Sequence, residues 1–280
     1  MKDIVVAIDF SKGSIRSFEY AIELATLTKA NITLVWVDNV NQNEPALTNH
    51  AKELRNEAKQ NFDELLENYK DKLEGIKVSC KTRKGKVFHE LATYLKQSDC
   101  YVLIVGAHGT SGFEDYWIGS NTLRIISSVQ NPVITVKYNY DIKRGFRKIL
   151  LPIDHTPQTL HKVEFVANFA RITGADVNIL AFNTSQLKSM QKVIDDNVAK
   201  AKKQLEKVGV NCIIDLIATN NVAADILHHA RAIDADLIAI RTRTDDSSNT
   251  VLLGPYAQQL VNYSPVPVLS IHPKTNSTVN

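Results

Sequence analysis

Ile104-Val105-Gly106-Ala107-His108-Gly109, followed after a polar loop by Gly119-Ser120-Asn121-Thr122, decides how this chain is read. The apolar run 101–105 predicts a strand that the glycines end, and Ser120 reads as the N-cap of a helix over residues 123–129. Glycine at 106 and 109 permits positive φ and leaves no side chain between the main chain and a ligand. A helix start offers N–H groups to an anion. Strand, glycine loop and helix start together make the arrangement a phosphate cradle needs. The same glycines also serve as an ordinary turn, and their spacing alone does not choose between the two.

Outward from this stretch, strands and helices alternate. Residues 3–8 read as a strand with Asp9 at its carboxyl end, 14–29 as a helix, 31–37 as a second strand and 49–73 as a long amphipathic helix. Residues 77–82, 87–97 and 133–137 supply a third strand, a short helix and a fifth strand. From Lys148 the order begins again, with Ile149-Leu150-Leu151-Pro152-Ile153-Asp154 standing where the first strand and Asp9 stood. Ala30-Asn31 matches Ala175-Asp176 at an offset of 145, whereas Gly119 matches Gly254 and Pro132 matches Pro267 at 135. Ten residues are therefore missing from the second copy, and the loop 38–48 is the expected place. Alternating strands and helices imply a parallel sheet with right-handed crossovers in each copy. The two copies join at 139–147, and the tail 274–280 reads as disordered.

At 280 residues the chain has room for about two domains. Its 44% hydrophobic and 22% charged residues fit a globular protein without a run near the ~20 apolar residues of a membrane span. Lys2 and Asp3 lead straight into a strand, so no signal peptide is read and a cytoplasmic location is expected. A net charge of +3, with basic residues spread along helices, gives no support to nucleic-acid binding. Cys80, Cys100 and Cys212 have no metal-ligand spacing and read as reduced packing residues. His228 and His229 are helix neighbours whose side chains diverge by about 100°, a poor grip for one metal.

The whole pattern, Gly106-x2-Gly109-x9-Gly119-Ser120, resembles the nucleotide-binding signature of the universal stress protein family. Ile4-Val5-Val6-Ala7-Ile8-Asp9-Phe10-Ser11 resembles that family's first strand and its aspartate, and Asn131-Pro132-Val133-Ile134-Thr135-Val136 resembles its closing strand. The Gly-x4-Gly-Lys-Ser/Thr loop of P-loop enzymes is absent. The resemblance implies an α/β fold of two tandem open five-stranded parallel-sheet domains with strand order 3-2-1-4-5, Rossmann-like and similar to adenine nucleotide alpha hydrolases. Residues 1–140 would form a nucleotide-binding domain and 145–274 a degenerate second one. It also implies ATP, with Mg²⁺ or Mn²⁺, in the crevice where the strand order reverses. Ala7, Asp9, Val37, Val105, Gly106, His108, Gly109, Gly119, Ser120, Asn121 and Thr122 would form that site. Members of the family commonly pair through strand 5, so 133–137 and 266–272 are expected to pair within one molecule, with a further dimer of chains.

Several of these residues carry a second reading. Asp9 serves either a ribose or metal, or the Ser11 turn. Val37 is core if no adenine sits there, and Ser120 caps a helix whether or not it meets phosphate. His108 has no positioned nucleophile or orienting partner in the sequence, so it reads as a loop or ligand-facing residue and no catalytic residue is assigned. The expected role is a nucleotide-dependent stress-response or signalling module with at most slow hydrolysis. Its rivals are a protein-interaction scaffold that binds no nucleotide, and an ATP-using ligase or flavin protein of related fold. In the second copy Gly106 becomes Arg241, Gly109 becomes Thr244 and Ser120 becomes Pro255, while Asp245 and Asp246 add negative charge. Bulk, a β-branched residue, a lost N–H and like charge all oppose a triphosphate there, and Arg241 with Arg243 would suit a different anion.

Overall fold

Strands rich in Val, Ile and Leu pair in parallel, and helices with one apolar stripe cover them, because strands buried on both faces have no polar side to show water. The computed structural model describes residues 3–39, 49–107, 119–244 and 251–272. It divides into two units, Met1–Asn139 and Tyr140–Asn280.

In the first unit the elements are β1 (Asp3–Ala7), α1 (Lys12–Thr28), β2 (Ile32–Asp38), α2 (Asn49–Asn68), β3 (Val78–Lys84), α3 (Val87–Gln97), β4 (Cys100–Gly106), α4 (Ser120–Ser128) and β5 (Val133–Val136). The sheet order is β3-β2-β1-β4-β5, all parallel. Helices α1 and α2 share one face, where Phe18 meets Tyr69 at 5.5 Å and Phe10 meets Phe62 at 5.1 Å, both edge to face. Helices α3 and α4 pack together. The long helix is shorter than its apolar stripe suggests, since α2 ends at Asn68 and residues Lys70–Leu73 form a separate 3₁₀ turn.

The second unit repeats this plan with β6 (Lys148–Ile153), α5 (Val163–Thr173), β7 (Asp176–Asn183), α6 (Lys188–Lys207), β8 (Cys212–Ala218), α7 (Val222–Ala232), β9 (Leu237–Arg241), α8 (Pro255–Tyr263) and a last strand, Val268–Ile271. Its order, from that last strand, is last strand-β9-β6-β7-β8, again parallel. A two-stranded antiparallel ribbon, Arg243–Thr244 with Val251–Leu252, is added after β9.

Three local differences between the units bear on function. A 3₁₀ segment, Pro157–Lys162, precedes α5, whereas α1 starts as an α-helix at Lys12. The β6–β9 ladder is short, pairing Ile149 with Leu237 and Leu150 with Ile238, and it stops before Pro152, which has no N–H to give. The missing residues do not all come from the loop 38–48. Ten residues separate β2 from α2 but four separate β7 from α6; nine separate α2 from β3 but four separate α6 from β8. The shortening thus falls on both ends of the helix.

The joining segment is not a loose linker. It carries a 3₁₀ turn, Ile142–Arg144, and belongs to the second unit. Asp236, with its side chain 1% exposed, accepts from Arg144 Nε at 3.1 Å and from the backbone N–H groups of Arg147 at 3.0 Å and Lys148 at 3.1 Å. Arg144 also reaches Asp234 at 2.7 Å. The tail expected to be disordered, 274–280, lies outside the described residues.

Candidate functional site

The sheet order reverses between β1 and β4, and at the carboxyl ends of these strands lies a cavity of about 250 Å³. Strand β1 runs into it with Ala7, Ile8 and Asp9; β2 contributes Val35 and Val37, and β4 contributes Val105 and Gly106. The start of α4 closes the other side with Gly119, Ser120, Asn121 and Thr122.

The main chain fixes this mouth. Gly119 N donates to the Ala107 carbonyl at 2.8 Å, and Thr122 Oγ1 donates to the Gly106 carbonyl at 2.8 Å. Helix α4 is thereby tied to the end of β4, and its first N–H groups, at Ser120, Asn121 and Thr122, have no intrahelical carbonyl to meet. Asp9 ends β1 in a turn of its own. Its Oδ1 accepts from Ser11 N at 3.0 Å and Ser11 Oγ at 2.6 Å, while Ser14 Oγ accepts from Asp9 N at 3.2 Å. Ser11 is also the N-cap of α1.

Two expectations need correction here. Ser120 is not the N-cap of α4: it is the first helical residue, and Gly119 holds the cap position with no side-chain cap bond. Gly106 does not take positive φ. A Cβ at 106 would meet the Gly13 carbonyl carbon at 2.9 Å and its oxygen at 3.1 Å. The glycine is therefore required where β4 passes the first turn of α1.

Nine of the eleven residues that the resemblance selects line this one cavity: Ala7, Asp9, Val37, Val105, Gly106, Gly119, Ser120, Asn121 and Thr122. His108 and Gly109 lie outside the described residues. The lining also includes Ile8, Ser14, Val35, Val87 and Ile125. Sequence reasoning missed the four apolar ones because apolar residues inside periodic elements read as core. For Ile8, Ser14, Val87 and Ile125 the signal was position, at a strand's carboxyl end or in the first or second turn of a helix.

Val35, Val37, Val87 and Ile125 give the lining apolar surface, and Asp9 is the one charged residue among the described residues that line the cavity. The first turn of α4 adds backbone N–H groups. Among the described residues no group of three or more His, Cys, Asp or Glu could hold a metal. Among the described residues lining the cavity, Asp9 is the one carboxylate a magnesium-sized ion could meet. Of the histidine pair, His229 has its Nε2 3.1 Å from an Asp215 carboxylate oxygen.

The family profile described as "Universal stress protein family" matches residues 1–137 and again 145–272. The chain belongs to the universal stress protein family. Universal stress proteins of Mycobacterium tuberculosis and Mycobacterium bovis are each 23% identical over 211 residues, which span 70% of this chain and 72% of the relative. The crystal structure of a universal stress protein from Archaeoglobus fulgidus matches 96% of this chain and 98% of its own, with a TM-score of 0.77 at 19% identity. A functionally unknown protein from Pseudomonas aeruginosa matches 98% of this chain and 93% of its own, with a TM-score of 0.63 at 15% identity. These likenesses establish two universal-stress-protein folds in series. No helix among the described residues is long and apolar enough to cross a membrane.

Proposed function

We propose that this universal stress protein binds ATP in the crevice of its first domain, residues 1–140, and acts as a nucleotide-dependent stress-response or signalling module. The second domain, residues 145–274, is not an ATP site. The observation that carries this reading is the cavity at the β1/β4 reversal, lined both by apolar side chains and by the N-terminus of α4. The apolar surface suits a purine face. Asp9 has a second carboxylate oxygen for ribose hydroxyls or a metal, and the α4 N–H groups suit phosphate oxygens. Mg²⁺ or Mn²⁺ enters with the phosphates, which supply most of its ligands.

The test is calorimetry of the full chain with ATP and Mg²⁺. Val37→Trp, which fills part of the cavity, weakens binding by at least about 10-fold, equivalent to ~1.4 kcal/mol. Equal affinity in the variant, or no heat with the wild type, refutes the assignment and leaves the protein-interaction scaffold as the better reading.

A further inference from the structure

The crevice of the second unit is not closed by its substitutions. At the carboxyl ends of β6 and β9 a cavity of about 280 Å³ remains, against about 250 Å³ in the first unit. Arg241 lines this cavity together with Phe182 and Tyr256, at the positions that Gly106, Val37 and Asn121 occupy in the first copy. The end of the β6–β9 ladder before Pro152 releases these strand ends from each other where Arg241 must be accommodated.

The lining has changed in kind. Phe182 and Tyr256 meet edge to face with centroids 6.3 Å apart, so the wall is aromatic. Arg241 brings a guanidinium, and Asp154 is the one acid among the described residues that line the cavity. One Asp154 oxygen is already occupied, accepting from Thr156 N at 2.8 Å and Thr156 Oγ1 at 2.5 Å. Behind the crevice Lys162 is fully buried, its Nζ donating to Thr159 O at 3.1 Å and to Thr159 Oγ1 at 3.2 Å; that Oγ1 accepts from Asp154 N at 3.3 Å. Helix α8 opens with Pro255, so a phosphate chain finds fewer donors here than at α4.

We propose that the second crevice binds a small aromatic anion, its carboxylate or phosphate group held by Arg241 and its ring packed against Phe182 and Tyr256. A guanidinium presents paired N–H donors in a plane, matching two oxygens of either acid group. The edge-to-face pair offers the ring a third aromatic partner at ordinary packing distance. The electrostatics agree. Burial first, then Arg241 and Lys162, hold the His161 imidazole below its ordinary range. Burial likewise pushes the Lys162 ammonium down to about 8, opposed by Asp154 and reinforced by Arg241.

This goes beyond the ATP assignment and stands or falls separately from it. The full chain is titrated by calorimetry with phenyl phosphate, with benzoate and with neutral benzyl alcohol. At least one anion binds about 10-fold more tightly than the alcohol, and Arg241→Gln removes that advantage. Excess ATP leaves the anion bound. Preference for phenyl phosphate assigns phosphate monoesters, and preference for benzoate assigns carboxylic acids; either supports the site. The proposal is overturned if no probe binds, if benzyl alcohol binds as well as both anions, if a melted-and-checked Arg241→Gln binds as the wild type does, or if ATP displaces the anion. The comparison of charged with neutral probes uses the wild type alone and needs no folded variant.

Discussion

Gly106 illustrates how one residue acquires a meaning other than the one its motif suggests. Its missing side chain makes room for the main chain of Gly13 and Ser14 where β4 passes close to α1. Gly106→Ala forces two backbones apart and is expected to destabilise the first unit by about 1–3 kcal/mol, measured as a shift of its urea midpoint. In the second copy Gly13 and Gly106 become Gln158 and Arg241, and the segment 157–162 there is 3₁₀. Lys162 on that segment makes a pH-dependent prediction. Its buried ammonium holds its proton only to about pH 8, against 10.5 for an exposed lysine. Below pH 8 both states are protonated and the folded chain carries the whole burial penalty, roughly 3 kcal/mol. Between 8 and 10.5 the unfolded chain binds more protons, so stability rises with pH, and above 10.5 the penalty is gone. Lys162→Met is therefore expected to stabilise the second unit by about 1–3 kcal/mol at pH 7, less what the lost bonds to Thr159 contribute. That gain fades as melts are repeated toward pH 10.5.

At the scale of elements, the two third strands diverge most. Strands β3 and β8 each end their unit's order, and β3 carries Lys81, Arg83 and Lys84. Strand β8 exposes Ile213 at 60% and Leu216 at 57%. Charged side chains guard a strand edge against pairing with other chains, and apolar ones invite it. Leu216→Lys is expected to lower self-association in light scattering while moving unfolding by less than about 0.5 kcal/mol. The segment before β6 behaves oppositely. It is anchored through Asp236, and Asp236→Ala leaves two backbone N–H groups without their acceptor while Arg144 keeps Asp234, with an expected loss of about 2–4 kcal/mol by thermal unfolding. The order of strands and helices was legible in the chain because apolar periodicity is local. Asp236 was not, because its partners are some ninety residues away in sequence. For the same reason Gly106 read as a loop glycine, and Ile8, Val35 and Ile125 as core, until the strand ends were brought together.

For the whole molecule, duplication with divergence predicts a stoichiometry. Calorimetry with ATP should give about one nucleotide per chain, and a value near two would mean that Arg241, Phe182 and Pro255 leave the second crevice competent for it. What the two copies have kept is as informative as what they have changed. Asp9, Ser11 and Ser14 recur as Asp154, Thr156 and Thr159, with three hydrogen bonds of the turn repeated: the aspartate accepts from the hydroxyl and N–H two residues on, and its own N–H donates to the hydroxyl five residues on. An acid whose first allegiance is to its own backbone keeps a strand end in shape whatever visits it. A duplicated half built on such a turn can exchange one small molecule for another without passing through a misfolded ancestor.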